Sequence, residues 1–476
     1  MEINQDRLPL YEKLIEHTNK NPISLHVPGH KNGGIKTIKG HTIFGELMKL
    51  DQTEITGLDD LHAADGVIKE AQHLAAEWFG AKETFFLVNG STVGNLAMIL
   101  ATCKEDDYVL VQRNCHKSII NGLELAGAKP IFLAPNYNKA VNRLVEPTIE
   151  TVQYACKKYS KAKALILTYP DYFGHTYHLK DYITIAHQYD IPVLVDEAHG
   201  CHYSIPYFNK PSAISLGADM VVQSAHKMTP ALTMSAFLHI GKGSRINEEE
   251  VKYYLQMLQS SSPSYLMMAS LDIARHYLAL YTYEKYKDVT KYIHQVKQLF
   301  QEIENWLVEI SDDPLKIILK PNHTSTKLIA QLLEEEQLYP ELITNQDILL
   351  IFGLEETVAI SELEKRLDRI KQKLKRIKRA EQPHEQIQGH LLYQTQELVL
   401  SYKEMRTKQM TWVDLDASIG CVAAEAIIPY PPGIPIILKG ERIHSIHIEQ
   451  INYLQNNHIT FQPYKHIKGL NVFKGE

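Results

Sequence analysis

The stretch Ile191-Pro192-Val193-Leu194-Val195, which leads directly into Asp196, decides the fold class. Its length and its β-branched residues are typical of a buried strand in a parallel sheet. A second strand pattern, residues 218–223, is followed by Ser224-Ala225-His226-Lys227. Because ligands of open α/β sheets gather at the carboxyl ends of the strands, we expect Asp196 and Lys227 to face one crevice.

Two further strand patterns lie upstream and also end in polar residues. Residues 84–88 lead into Asn89-Gly90-Ser91-Thr92, and a helical run follows at once. The start of a helix, with its free N–H groups and two hydroxyls, is suited to bind a phosphate, although Ser and Thr are also common helix caps. Residues 108–112 are followed by a segment that contains His116. The sequence therefore predicts one polar edge built from successive strands.

A lysine, an acid and phosphate-binding hydroxyls are together the groups that hold pyridoxal 5′-phosphate (PLP). Lys227 is our candidate for the Schiff base, because desolvation or a cationic neighbour such as His226 would favour its neutral amine. PLP also needs a carboxylate against its pyridine nitrogen, and Asp196 is our candidate. His116 could stack its imidazole on the cofactor ring.

These residues belong to a longer set of motifs that resembles the Orn/Lys/Arg decarboxylases, PLP enzymes of the aspartate-aminotransferase fold. The resemblance rests on matching segments throughout the chain: Val27-Pro28-Gly29-His30-Lys31, Thr56-Gly57-Leu58-Asp59-Asp60-Leu61-His62, Asn89-Gly90-Ser91-Thr92, Cys115-His116-Lys117-Ser118, Asp196-Glu197-Ala198-His199-Gly200, Ser224-Ala225-His226-Lys227, Ser261-Ser262-Pro263-Ser264-Tyr265 and Pro429-Tyr430-Pro431-Pro432-Gly433-Ile434-Pro435.

The resemblance implies an α/β fold: a PLP-dependent, aspartate-aminotransferase-like (fold type I) large domain with a mostly parallel sheet, and a smaller C-terminal α/β domain. It implies that Lys227 forms the Schiff base, that Asp196 pairs with the pyridinium nitrogen, and that His116 and Ala198 lie against the two ring faces. The phosphate would be held by residues of two motifs, Gly90, Ser91, Thr92, Ser224 and His226. The chain is expected to form a homodimer in which the Ser262-Pro263-Ser264 turn reaches the partner's cofactor.

The activity that the resemblance implies is decarboxylation of a basic amino acid to its amine and CO2, as in polyamine biosynthesis. Among the short forms of the family, arginine decarboxylases are the nearest likeness, so arginine is favoured over lysine and ornithine. The larger members carry an extra domain before the PLP domain, whereas these motifs begin within the first thirty residues. Larger members also tend to have an aromatic residue where this chain has His199, so no role is assigned to His199.

A substrate with a distal cation needs an acid in its pocket, because a buried unpaired cation is costly. Glu425 is our hypothesis for that acid, with a structural glutamate as the alternative, and Asp59 and Asp60 compete with it. The proton that replaces CO2 is left open between Lys227, a histidine and water.

Two other classes of function stay open at this point. A different fold type I activity, such as an aminotransferase or lyase, would use an arginine clamp on the substrate carboxylate, and six arginines of the C-terminal third are available: Arg366, Arg369, Arg376, Arg379, Arg406 and Arg442. A metal enzyme could use Asp196, Glu197, His199 and His202, although that spacing is unspecific and we expect no metal.

The composition agrees with a large globular enzyme of the cytoplasm. The chain has 476 residues and a net charge of −6, which argues against nucleic acid as a partner. The five cysteines are an odd number without a C-x-x-C pair, as expected for free thiols in a reducing compartment. Neither a signal peptide nor an apolar run of membrane-spanning length is seen, so no membrane is expected.

Four segments are predicted along the chain. Residues 1–60 would form an N-terminal arm with a short helix from Tyr11 to Thr18, and residues 61–275 the PLP-binding domain. Residues 276–385 would hold a connecting helix and then a small α/β unit. The connecting helix belongs to one long helical pattern from Ile273 to Glu309, and residues 379–385 at the end of the segment would form a linker. Residues 386–476 would form a C-terminal domain of strands and turns.

Overall fold

The structure, a computed structural model, describes residues 4–376, 394–429, 434–456, 459–462 and 466–475. Within these ranges the helices are α1 Pro9–Asn19, α2 His41–Leu50, α3 Val67–Phe79, α4 Gly90–Thr102, α5 Lys117–Ala126, α6 Ile149–Lys158, α7 Leu179–His187, α8 Ala225–Met228, α9 Glu248–Leu258, α10 Tyr265–Ala279, α11 Tyr283–Gln301, α12 Thr326–Glu335, α13 Ile360–Leu374, α14 Tyr402–Met405 and α15 Ser445–Asn456.

The strands in the same ranges are β1 Glu83–Leu87, β2 Tyr108–Gln112, β3 Lys129–Leu133, β4 Pro135–Asn138, β5 Arg143–Pro147, β6 Ala164–Thr168, β7 Val193–Asp196, β8 Met220–Gln223, β9 Ala236–Ile240, β10 Trp306–Ile310, β11 Lys316–Pro321, β12 Leu342–Ile343, β13 Ile348–Ile351, β14 Thr395–Glu397, β15 Met410–Asp414, β16 Ile428–Pro429, β17 Phe461–Gln462 and β18 Gly469–Phe473.

The chain divides into two compact units. The first takes in the chain up to Cys103, together with Lys163–Tyr169 and His178–Thr282. The second consists of Lys104–Ala162, Pro170–Tyr177 and the chain from Tyr283 onward. The predicted domain limits at 60, 275 and 385 stay a prediction.

The first unit contains five neighbouring strands in the order β1-β9-β8-β7-β6. Strands β6, β7 and β8 pair in parallel, and β9 pairs antiparallel with both β8 and β1. Four of these five strands therefore run in one direction, which confirms the mostly parallel sheet. Strands β7 and β8 are buried along their whole length, as their apolar sequences predict. Their carboxyl ends, with that of β1, lie at one edge.

Helix α4 packs closely on this sheet because Gly94 has no side chain. A Cβ at this position would lie 2.7 Å from Leu87 Cδ1 and 2.9 Å from Val222 Cγ1. Such contacts are too short for carbon atoms, so any larger residue would force a shift of the helix or of its neighbours. The start of α4 is thereby held against β1 and β8.

The second unit contains several small sheets. Strands β2 and β3 pair in parallel, with β14 antiparallel to β3, and a separate antiparallel sheet has the order β10-β11-β13-β12. Helix α13 buries Leu363, Leu367, Ile370 and Leu374, which recur at helical spacing, so its basic residues lie on the opposite face. The segment around β15 to β18 has its own apolar core, which includes Ile437, Ile443 and Leu470.

The single helical pattern predicted from Ile273 to Glu309 is wrong. Helix α10 ends at Ala279, a new helix begins at Tyr283, and residues from Trp306 form β10. Tyr281 is buried at the break, and Trp306 Nε1 donates to the Phe300 carbonyl oxygen (2.9 Å) before β10 pairs with β11. Burial of aromatic residues and strand pairing therefore override the local helical periodicity.

Other elements match the predicted patterns to within a few residues. Helix α1 extends the predicted helix by two residues at its start, and the strand patterns at 84–88 and 108–112 correspond to β1 and β2. Sequence analysis did not anticipate helices α2 and α15. The predicted linker at 379–385 and the centre of the proline-rich motif, 430–433, lie outside the described residues.

Candidate active site

The three carboxyl ends at the edge of the first unit carry the polar residues that the sequence singled out. Strand β1 leads through Asn89 into α4, β7 ends at Asp196, and β8 leads through Ser224 into α8. The Ser91 and Ser224 hydroxyl oxygens lie 2.6 Å apart. This hydrogen bond joins the first turn of α4 to the end of β8, the two segments for which a phosphate site was predicted.

The N-terminus of α4 offers a cradle for an anion. Gly90 has a φ of +75°, which favours glycine, and its N–H donates to the Met234 carbonyl oxygen (2.7 Å). The following N–H groups belong to the first helical turn, which has no intrahelical acceptors and carries the positive end of the helix dipole. Ser224 is buried, whereas Thr92 is exposed.

Asp196 is a buried carboxylate with two hydrogen-bond donors. Only 4% of the residue is exposed. Its Oδ2 accepts from Asn95 Nδ2 (2.9 Å), and its Oδ1 accepts from the Ala198 N–H (3.2 Å). Asn95 lies one turn after Ser91 on α4, and sequence analysis gave it no role, although this spacing of four residues was the available signal. Asn95 therefore fixes the orientation of the acid.

Lys227 lies in the short helix α8, and its Nζ is 3.0 Å from His199 Nε2. His226, the residue before it, places its Nδ1 3.0 Å from the Ser235 carbonyl oxygen, so Nδ1 carries a proton and donates. The structure thus brings together Lys227, His199 and the turn that follows β7. Sequence analysis left the role of His199 open.

Three of the residues considered for a metal site, Asp196, Glu197 and His199, each contact different partners. Asp196 is bound by α4, and His199 contacts Lys227. Glu197 is fully buried, and accepts from Gln223 Nε2 (2.7 Å) and from the Ala213 N–H (2.8 Å). Burial raises the pKa of Glu197 to about 8, although both hydrogen bonds act to lower it. Glu197 is therefore a neutral acid over much of the physiological range.

The other acids proposed for the substrate organise their own loops. Burial alone would raise the pKa of Asp59, but its hydrogen bonds from the N–H groups of Asp60, Asp65 and Gly66 outweigh that effect and lower it. Asp60 accepts from the His62 N–H (2.8 Å) at the start of a short 3-10 helix. Neither contact leads to the strand ends, and their competition with Glu425 stays a hypothesis.

His116 and Glu425 lie in the second unit. His116 precedes α5, where its Nδ1 accepts from the Ser118 N–H (3.3 Å) and lies 2.8 Å from Ser118 Oγ. Glu425 Oε1 accepts from the N–H of Asn471 (2.7 Å) and from its Nδ2 (3.1 Å). The predicted roles of His116 in stacking and of Glu425 in substrate binding stay predictions.

The Ser262-Pro263-Ser264 turn precedes α10, and Ser264 Oγ accepts from the Met267 N–H (3.4 Å). Ser262 is exposed, and Pro263 is buried. Further along, Arg113 donates to the carbonyl oxygens of Pro435 (2.8 Å) and Ile436 (3.0 Å), next to the proline-rich motif. The predicted contact of the serine turn with a partner subunit stays a prediction.

Comparison of the chain with known protein families identifies the kind of enzyme to which it belongs. The profile of the Orn/Lys/Arg decarboxylase major domain matches residues 8–315, and that of the family's C-terminal domain matches residues 385–464. The chain belongs to the Orn/Lys/Arg decarboxylase family. Like other members of the Orn/Lys/Arg decarboxylase family, it is a PLP-dependent amino acid decarboxylase with the fold type I architecture.

Individual relatives agree with this assignment. The chain is 42% identical to the uncharacterized protein YaaO of Bacillus subtilis over 458 residues, which cover 94% of each chain. It is 33% identical to an arginine decarboxylase of Bacillus subtilis, over 96% of this chain and 94% of the relative.

Solved structures show the same fold. Lysine decarboxylase A of Pseudomonas aeruginosa superposes with a TM-score of 0.81 at 18% identity, covering 98% of this chain and 80% of that one. A structure of SPT with a PLP internal aldimine superposes with a TM-score of 0.51 at 15% identity, covering 64% of this chain and 75% of that one.

The residues at the sheet edge fit PLP. The cradle at α4 and the hydroxyls of Ser91 and Ser224 match a phosphate, which needs several hydrogen-bond donors. The buried carboxylate of Asp196 would suit a protonated pyridine nitrogen, and the amine of Lys227 would suit the aldehyde. All these groups lie in the first unit. Among the described helices, none combines the length and the apolar character that a bilayer crossing requires.

Proposed function

We propose that the protein decarboxylates arginine to its amine and CO2, with lysine or ornithine as the alternative substrate. We also propose that Lys227 holds PLP as a Schiff base. The family accounts for decarboxylation of a basic amino acid, and the arginine decarboxylase of Bacillus subtilis, similar over nearly the whole chain, supports arginine. The single observation that carries the site is the joint position of Asp196, Ser224 and Lys227 at one sheet edge.

When bound, PLP supplies an electron sink that can accept the electrons left by a departing carboxylate. In this proposal Asp196 keeps its negative charge against the ring nitrogen, and Asn95 Nδ2 and the Ala198 N–H hold that carboxylate in place. Because Asp196 is buried, its charge acts in a medium of low polarity, where an electrostatic contact is stronger than in water.

The phosphate would be held by the first turn of α4, with Gly90, Ser91 and Thr92, and by Ser224 at the end of β8. His226 would complete the set as an imidazolium, whose Nε2–H would donate to the phosphate while its Nδ1–H donates to the Ser235 carbonyl oxygen. His116 and Ala198 would lie against the two faces of the ring. Glu425 is proposed to bind the distal cation of the substrate.

The aminotransferase alternative requires an arginine that clamps the substrate carboxylate. Two of the arginines considered for that role donate to nearby acids, Arg366 to Glu362 (2.9 Å) and Arg369 to Glu336 (2.7 Å). Arg442 donates to the Gly420 carbonyl oxygen (2.7 Å). Arg379 lies outside the described residues. These contacts concern three of the six arginines. The proposal of decarboxylation, in which the substrate carboxylate has no strong cationic clamp, rests on the family.

The proposal extends to assembly and cellular role. A homodimer in which the Ser262-Pro263-Ser264 turn lies near the partner's cofactor is proposed from the family resemblance. A place in polyamine biosynthesis follows from the amine products of basic amino acids. A cytoplasmic location stays a prediction, and all five cysteines are free thiols, in agreement with it.

The proposed function is tested with the purified, PLP-loaded enzyme and a panel of arginine, lysine and ornithine. CO2 release is measured together with the product amine, which is identified by mass spectrometry. Arginine is expected to give the highest kcat/KM, with one amine formed per CO2. A keto acid formed without CO2 would support the aminotransferase instead, and lysine preferred over arginine would overturn the substrate assignment.

A further inference from the structure

His199 contacts the amine that the proposed function assigns to the cofactor. Its Nε2 lies 3.0 Å from Lys227 Nζ, within hydrogen-bond distance. The His199 residue is only 5% exposed, whereas Lys227 is half-buried. A buried imidazole directly beside a reactive amine is a contact that can control both the position and the proton content of that amine.

The turn that carries His199 is held firmly in place. The Gly200 N–H donates to the Glu197 carbonyl oxygen (3.0 Å), and the Glu197 N–H donates to the Val222 carbonyl oxygen of β8 (2.9 Å). The Glu197 side chain accepts from Gln223 and Ala213. His199 therefore lies in a turn that is hydrogen-bonded both to β8 and, through Ala213, to the segment before β8.

The amine needs such a neighbour for two reasons. A lysine side chain loses up to about 2 kcal/mol of rotamer entropy when it is fixed, so an acceptor that holds Nζ keeps the amine in place before reaction. A protonated Nζ also has no lone pair with which to attack an aldehyde, so one N–H bond must first break.

We propose that His199 is the positioning residue of Lys227, an inference that rests on the proposed function of Lys227. His199 Nε2 accepts the hydrogen bond from Nζ and takes the proton that Nζ gives up. One N–H bond breaks at Nζ, one forms at Nε2, and the lone pair of Nζ becomes available, with no change in oxidation state. The same proton returns to Nζ when the amine is released.

The test uses the full-length enzyme freed of cofactor, and two probes. PLP has the aldehyde that Lys227 attacks, whereas pyridoxine 5′-phosphate has an alcohol in its place and binds without the amine. His199→Phe keeps a flat ring and removes the acceptor, and His199→Gln keeps an acceptor. The rate of PLP capture is followed by absorbance, the bound product is trapped with borohydride and mapped, and pyridoxine phosphate affinity is measured by calorimetry.

His199→Phe is expected to slow PLP capture at Lys227 by about 10-fold, equivalent to about 1.4 kcal/mol, as expected for the loss of one hydrogen bond to a charged group. His199→Gln is expected to recover only part of the rate, because its amide oxygen can hold Nζ by a hydrogen bond but cannot take its proton. The affinity for pyridoxine phosphate is expected to stay within about 2-fold of the original enzyme in both variants, a change of less than about 0.5 kcal/mol. If His199→Phe fails to fold, His199→Met takes the same test.

Two results would overturn this inference. Equal capture rates in the original enzyme and His199→Phe would remove His199 from the reaction of the amine. Equal losses for PLP and pyridoxine phosphate would give His199 a purely structural role. Lys227→Ala is the control for the proposed function: if the borohydride adduct of the original enzyme maps to another lysine and persists in Lys227→Ala, the assignment of Lys227 itself is wrong.

Discussion

Replacement of Asp196 by Asn tests the electrostatic role of the buried acid with little change in shape. Asn keeps an oxygen for the Ala198 N–H, which now donates to Asp196 Oδ1 at 3.2 Å. In the original enzyme Asn95 Nδ2 donates to Asp196 Oδ2 at 2.9 Å, so the NH2 group of the introduced Asn would face another NH2 group. Rotation of the Asn95 amide by half a turn would present its oxygen instead and restore a hydrogen bond. The folding cost should therefore be small, about 1 kcal/mol.

The loss of activity should be much larger than the loss of stability. Removing one preorganised electrostatic group from a buried site costs about 100-fold to 1,000-fold in kcat, or about 3 to 4 kcal/mol. Asp196 is 4% exposed, so water replaces little of the missing charge. The kcat for CO2 release, the affinity for PLP and the thermal unfolding midpoint would be measured together on the Asp196→Asn enzyme.

Asp219→Asn is the matched control. Asp219 is also buried, but it lies just before β8, away from the carboxyl ends, and accepts from the N–H groups of Val193 and Arg245. This control should lose stability with kcat of the folded fraction almost unchanged. A kcat for Asp196→Asn within about 3-fold of the original, far below the usual loss, would refute the role of Asp196.

Three other substitutions have defined outcomes. Burial raises the pKa of Glu197 from 4.5 to about 8 in the folded state, so its contribution to stability is fully present below pH 4.5, falls between pH 4.5 and 8, and levels off above pH 8. Glu197→Gln should remove this fall in urea unfolding curves recorded from pH 5 to 8. An unchanged dependence of stability on pH in the variant would contradict this prediction. Arg275→Ala should lower the free energy of unfolding by about 3 to 5 kcal/mol, because it leaves Asp272, its fully buried partner at 2.7 Å, without a counter-charge; a loss under about 1 kcal/mol in the same assay would show that the pair is not needed. Glu425→Gln should raise KM for the basic substrate with PLP affinity unchanged, whereas an unchanged KM would leave Glu425 with its hydrogen bonds to Asn471 alone.

The fold and the core of the candidate site could be predicted from sequence because local patterns fixed them. The apolar runs before Asp196 and Ser224 are too short and too β-branched for helices, and they form β7 and β8 as expected. The apolar run at 84–88 forms β1 for the same reason, and the predicted turn into α4 follows it. The family motifs then supplied the proposed roles of residues whose spacing along the chain is uninformative.

The remaining features depend on contacts between distant segments. The break between α10 and α11 follows the burial of Tyr281, and β10 forms because β11 is there to pair with it. Asn95 and His199 acquire their neighbours, Asp196 and Lys227, only when α4, β7 and α8 meet in the folded chain. The four-residue spacing of Ser91 and Asn95 was a local signal for Asn95, whereas no local pattern indicates that His199 meets Lys227.

Borohydride reduction of the purified, PLP-loaded enzyme tests the central assignment most directly. Reduction makes the bond between the cofactor and its lysine permanent, and digestion followed by mass spectrometry identifies that lysine. The phosphopyridoxyl group is expected on Lys227, at one group per chain, with none in Lys227→Ala. A group on any other lysine, or an enzyme that turns over without one, would contradict the account.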